Sequence, residues 1–152
     1  MKVNICGYNY RHDDSFYVER PAGGRDYMLL IIRSPGRVLL NGHNHYIEKN
    51  AVILYRKGTP QVFGAHNAEY TNDWVSFELD EEDLTLCENI GIVFDTVLED
   101  SDVYQLSHLV KQLSMEQWES NPNTETSENF LLRLLLLKLA DFISKPQETS
   151  SE

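Results

Sequence analysis

The sequence predicts a mainly β domain, a sandwich or barrel, completed by two C-terminal helices. Two observations predict it. From Val3 to about Val97 the chain comes in short runs rich in β-branched and aromatic residues, separated by turn residues. After Asp100 the apolar period lengthens from two to about 3.6. At 152 residues the chain has the size of one domain with a single core.

The strand candidates are "VNICGYNY", "SFYVER", "DYMLLII", "RVLLN", "HYIEK", "AVILYR", "QVFGA", "WVSFEL" and "IVFDTVL". Each is short and bounded by residues able to reverse the chain: "PAGG" at 21–24, "SPG" at 34–36, "NG" at 41–42 and "KGTP" at 57–60. Asn41-Gly42 is the clearest hairpin signal, because both central residues of a two-residue hairpin turn need positive φ. "DEEDLTLCEN" reads as a short helix with its acids near the N-terminus, where the helix dipole favours them. A helix is expected over about 102–118, with Val103, Leu106, Val110 and Leu113 on one stripe and Ser101 or Asp102 as N-cap. "ESNPNTETS" is a polar loop. A second helix is expected over about 127–144, stopped before Pro146.

On that last helix, steps of 100° separate two apolar surfaces. A broad face holds Leu131, Leu132, Leu135, Leu136, Leu139, Phe142 and Ile143. A narrow stripe nearly opposite holds Phe130, Leu134 and Leu137, flanked by Arg133, Lys138 and Asp141. The broad face is expected to pack on the chain's own core and the narrow stripe to form the seam of a homodimer. Residues 1–144 thus form one unit, and 145–152, "KPQETSSE", read as linker.

Thirteen basic residues against twenty-four acidic ones give a net charge of −11. Glu78 to Asp102 carries ten acids and no Lys or Arg, so this stretch repels a phosphate backbone. Two cysteines make no disulfide framework, and the first twenty residues lack a signal-peptide apolar run, which points to a cytoplasmic setting. "FLLRLLLLKLADFI" is broken by charges and too short to span a membrane.

The one metal-like motif is "GHNHYIE". His43, His45 and Glu48, with His66 from "FGAHN", are types a divalent metal accepts, and they allow a free-standing metal-dependent enzyme as the alternative reading. In a strand, however, His43 and His45 share one face while Glu48 points to the other. No nucleophile motif surrounds Cys6 or Cys87, and no catalytic role or cofactor is assigned.

The stretch from Tyr17 to Asp80 resembles the N-terminal effector-sensing and dimerisation domain of AraC-family transcription regulators. The resemblance is carried by Arg20-Pro21 followed by Gly23 and Gly24, Tyr27 opening an apolar strand, Gly58 before the next strand, and Trp74 with Phe77. It implies a cupin-type barrel or jelly roll over about 1–100 followed by the two helices, a non-enzymatic sensor of a small polar effector, and a homodimer. DNA would be bound only through a helix-turn-helix domain beyond this chain, which is expected to be a truncated sensor. In sugar-sensing members the matching pocket residues are Arg20, Phe63 and Trp74. Val18, Asn72 and Tyr8 complete the expected ligand-binding set, and a sugar is the implied effector. Asn72 and Ser76 stand where relatives often have histidine, and Phe63 lacks the hydroxyl of a tyrosine. Arg20 can fork two hydrogen bonds to a carboxylate or to vicinal hydroxyls, or instead pair with Glu19 or Glu78.

Overall fold

Strands β3 (Tyr27–Ile32) and β6 (Ala51–Tyr55) are buried along their whole length, which explains their unbroken apolar sequences. Both sides of these strands face protein. Met28, Leu30, Ile32, Ala51, Ile53 and Tyr55 point into a core between two antiparallel sheets. Leu29, Ile31, Val52 and Leu54 point the other way, into a second core beneath the helices. A computed structural model describes residues 1–99 and 102–145 of the chain.

The five-stranded sheet has the order β1 (Lys2–His12), β8 (Tyr70–Glu78), β3, β6 and β9 (Leu98–Glu99); the four-stranded sheet has β2 (Tyr17–Arg20), β7 (Gln61–Ala65), β4 (Gly36–Leu40) and β5 (His43–Ile47). The fold is therefore the expected mainly β barrel or jelly roll with helices after it. Asn41 (φ 53°) and Gly42 (φ 78°) make the hairpin between β4 and β5, both left-handed as that turn requires.

Helix α1 (Glu81–Ile90) starts on a capping box, with Asp80 accepting from the Asp83 N–H and Asp83 from the Asp80 N–H. Helices α2 (Tyr104–Glu119) and α3 (Thr124–Ser144) lie on the β1 and β8 end of the larger sheet. Leu106, Leu109, Val110 and Leu113 of α2 and Leu132, Leu135, Leu136 and Leu139 of α3 fill the second core, as the stripes predict. Phe130, Leu134 and Leu137 remain exposed.

Three expectations need correction. "IVFDTVL" is not a strand: only Leu98 and Glu99 pair, with Val52 and Ala51. Asp95 diverts the backbone at φ 51°, and its carboxylate accepts from the Arg56 N–H (3.0 Å) and the Thr59 hydroxyl (2.9 Å), so side-chain bonds replace a ladder. Helix α2 begins two residues later than expected, at Tyr104, whose N–H is taken by Asp102 Oδ1 from outside the helix; Ser101 lies outside the described residues. Helix α3 begins three residues earlier, at Thr124, because the Thr124 hydroxyl accepts from the Asn121 N–H and extends the entry turn. Pro146 and the tail after it also lie outside the described residues. No helix among the described residues is long and apolar enough to cross a membrane.

Candidate functional site: a cavity at the barrel mouth

Strand β8 is a wall shared by two compartments, because successive side chains of a strand point to opposite faces. Asn72, Trp74 and Ser76 face the space between the sheets; Asp73, Val75 and Phe77 face the helices. On the first side lies a cavity of about 530 Å³. Its floor and walls are mostly apolar: Val18, Met28, Leu30 and Phe63, with an aromatic row in which His12 stacks on Phe16 at 3.8 Å and Phe16 on Tyr70 at 4.8 Å.

Trp74 forms the opposite wall. Its indole covers Gly7, where an added Cβ would come 2.6 Å from the indole nitrogen, so the absence of a side chain at 7 is what lets the ring lie there. Tyr10 closes on the same indole edge-to-face, with centroids 5.8 Å apart.

Polar groups sit at two levels. Arg20 and Arg25 are exposed at the rim, and Arg20 Nη1 donates to Gln61 Oε1 at 2.9 Å. No carboxylate pairs with Arg20 among the described residues, so neither Glu19 nor Glu78 is its partner. Deeper in, Asn72 is 4% exposed and donates to the Tyr70 hydroxyl at 3.1 Å, while its Oδ1 has no partner among the described residues. A buried acceptor left unpaired costs about 1–3 kcal/mol, which a donor entering the cavity would recover. Burial pushes the Tyr70 phenol up, so it stays protonated and able to donate.

Of the expected ligand-binding residues, Arg20, Trp74, Phe63, Asn72 and Val18 surround this one cavity. Tyr8 does not. Tyr8 follows Cys6 onto the helix side, with Arg33 and Lys111 at 5.6 and 5.8 Å from its ring centre, and the β1–β8 register slip between Gly7 and Tyr10 instead brings Tyr10 to the cavity. The sequence reading missed Tyr10, His12, Phe16, Met28, Leu30, Gln61 and Arg25. Gln61 could have been found from Phe63, two residues along one strand and so on one face.

The metal-like residues do not converge. His43 and His45 share their side of β5 with buried Ile47, whereas Tyr46 points to the other side and packs against His66, tilted, with ring centres 4.8 Å apart. No three His, Cys, Asp or Glu side chains among the described residues are placed to hold a metal. His43→Ala with His45→Ala is expected to change stability by no more than about 0.5 kcal/mol, as for ordinary surface substitutions. Elemental analysis finding a stoichiometric metal that this double variant loses would reverse that expectation. The thiols are equally unsuited to chemistry: burial, with Glu128 adding to it, pushes Cys6 up to about 11, and burial also raises Cys87. Both are protonated near neutral pH and poor nucleophiles.

No protein-family model and no curated protein matches the chain. Among solved structures it is similar to ToxT from Vibrio cholerae, at 12% identity and a TM-score of 0.51, over 98% of this chain and 61% of that one. Unsaturated-fatty-acid-bound wild-type ToxT from strain SCE256 also matches, at 12% identity and a TM-score of 0.45, over 92% and 53% of the two chains. The likeness at the higher score is one of fold. The chain spans about three-fifths of the ToxT chain.

Proposed function

We propose that this chain is the effector-sensing and dimerising domain of an AraC-type transcription regulator, working in the cytoplasm and without enzymatic activity. The observation that carries the reading is the cavity itself. It lies inside a barrel followed by two helices, with a guanidinium at its rim that no carboxylate among the described residues pairs with and an amide oxygen at depth that has no partner among them. Such a site binds a small molecule by shape and a few polar groups.

Arg20 takes a carboxylate or vicinal hydroxyls, Asn72 Oδ1 takes a donor, and Trp74 stacks on the body of the ligand. A sugar or sugar acid meets these terms. A second reading, an acid with an apolar chain, is favoured by Val18, Met28, Leu30 and Phe63, which offer a hydroxylated ring nothing to bond. The dimer seam is Phe130, Leu134 and Leu137. DNA contact belongs to a separate domain, since the acidic surface of this one repels phosphate.

A thermal-shift panel of sugars, sugar acids and medium-chain fatty acids tests the reading. An effector at about 100 times its dissociation constant adds about 2.7 kcal/mol of stability. Arg20→Ala with Trp74→Ala is expected to weaken that effector at least about tenfold, since one hydrogen bond to a charged group contributes about 1.5–3 kcal/mol. An effector whose affinity survives this double variant binds elsewhere, and the reading fails.

A further inference from the structure

We infer that the buried Asp73 carboxylate mechanically links the cavity to helix α2, so that occupancy at Trp74 is reported to the helical face. The inference rests on the proposed role of the cavity as an effector site and assigns its regulation.

Asp73 lies between Asn72 and Trp74 in β8 but on the opposite face, fully buried at 0% exposure. Four donors converge on it. Oδ2 accepts from the Ser107 hydroxyl at 2.6 Å and from Arg33 Nε at 2.8 Å; Oδ1 accepts from the Asn9 N–H at 2.7 Å and from Arg33 Nη2 at 2.9 Å. Arg33 Nη2 also donates to Asn9 Oδ1 at 2.9 Å. One carboxylate thus ties together β8, the irregular part of β1, the end of β3 and the first turns of α2.

The cavity side of this knot is short. Asn9 sits at φ 59° inside the register slip of β1, and its neighbour Tyr10 packs edge-on against Trp74. A ligand that displaces Tyr10 or tilts the indole must move the backbone of Asn9 or of β8, and both are bonded to Asp73. The helix side has two states available. Ser107 is a buried polar residue on an otherwise apolar helix face, and it now bonds Asp73. A helical serine has a second acceptor in the carbonyl four residues back, here Val103. If Asp73 withdraws, the hydroxyl turns to that carbonyl and α2 is freed from β8. Each state satisfies the hydroxyl, so a small shift decides between them.

The test uses Trp118→Phe, which leaves Trp74 as the sole tryptophan of the two in the chain, labelled as 5-fluorotryptophan. Ser107→Ala is expected to move the fluorine resonance of Trp74 and to change the affinity of the probe 8-anilinonaphthalene-1-sulfonate about fivefold, the lower end of ordinary coupling between sites. Ser107→Thr, which keeps the hydroxyl, restores both. Thr85→Ala, which removes a hydroxyl bonded only within α1, should move neither. A folded Ser107→Ala whose resonance and probe affinity are unchanged overturns the inference. Should Ser107→Ala not fold, Asn9→Gly keeps the N–H and the backbone conformation, removes the Asn9 Oδ1 acceptor of Arg33 Nη2, and makes the same test from β1. A resonance that responds to Ser107→Ala but not to the probe keeps the link and counts against the apolar-acid reading of the cavity; the converse result overturns the link.

Discussion

Asp73→Asn is expected to lower stability by about 3 kcal/mol, the lower end of what breaking a buried ion pair costs, and so to lower Tm by roughly 6–12 °C in a domain of this size. The substitution is nearly isosteric, so packing is not what it removes. An amide keeps one acceptor oxygen and turns an N–H₂ toward donors that already surround the site: Arg33, Ser107 and the Asn9 N–H. Arg33 is left with a charge that Asp73 now balances; the hydrogen bonds it donates to Asp73 are the main reason its guanidinium is raised above its already high range. Two of the other ion pairs are of a different kind. Arg56–Asp95 at 3.9 Å and Lys138–Asp141 at 4.0 Å are long and each has at least one exposed partner, and such pairs are worth about 0–1 kcal/mol. Asp95→Asn and Asp141→Asn should therefore not approach the effect of Asp73→Asn. Thermal and urea unfolding of the three variants decides it, and a loss below about 1 kcal/mol for Asp73→Asn would mean that water reaches the site and replaces the pair.

What the sequence disclosed and what it hid follow from the range of the forces involved. Alternation, apolar runs and turn residues are local, so β3, β6, β7 and the β4–β5 hairpin are legible, as is the capping box of α1. The two faces of α3 are legible for the same reason, since their spacing is a property of one helix. The starts of α2 and α3 differ from expectation by a few residues through nearby contacts of Asp102 and Thr124; the larger failures arise where contacts or pairing distant in sequence decide. "IVFDTVL" has strand-like residues, but Asp95 spends its bonds on Arg56 and Thr59, which lie 36 or more residues earlier. Tyr8 shares the helix side with Cys6 by simple alternation, and it is Tyr10 that the slip after Gly7 moves to the cavity. Asp73, inside "YTNDWVSFEL", reads as one more acid of an acidic chain; nothing within ten residues shows that Asn9, Arg33 and Ser107 will meet there. The cavity was half legible: the resemblance supplied Arg20, Phe63, Asn72, Val18 and Trp74, while Tyr10, Phe16, Met28 and Gln61 required the register between strands.

Leu134→Glu is expected to give a folded monomer and Leu135→Glu an unfolded or insoluble chain, although the two residues are neighbours on one helix. Leu135 is 0% exposed in the core shared with α2 and the larger sheet. Removing its side chain forfeits about 1.5–3 kcal/mol of burial, and placing an unpaired carboxylate there adds a desolvation cost of several kcal/mol more. Together these approach the whole stability of an ordinary domain, about 5–15 kcal/mol. Leu134 is 40% exposed and points away from that core, between Phe130 at 68% and Leu137 at 47%. In a single chain a glutamate there meets water and costs little; in the proposed homodimer it sets a charge in the centre of an apolar seam and opposite its own copy. Subunits should then separate without unfolding, which light scattering and circular dichroism read together. A Leu134→Glu variant that stays dimeric moves the seam elsewhere, first to Met115 and Trp118 of α2, which are 53% and 90% exposed. A well-folded Leu135→Glu would be harder to accommodate, because it requires α3 to leave the core that defines the fold.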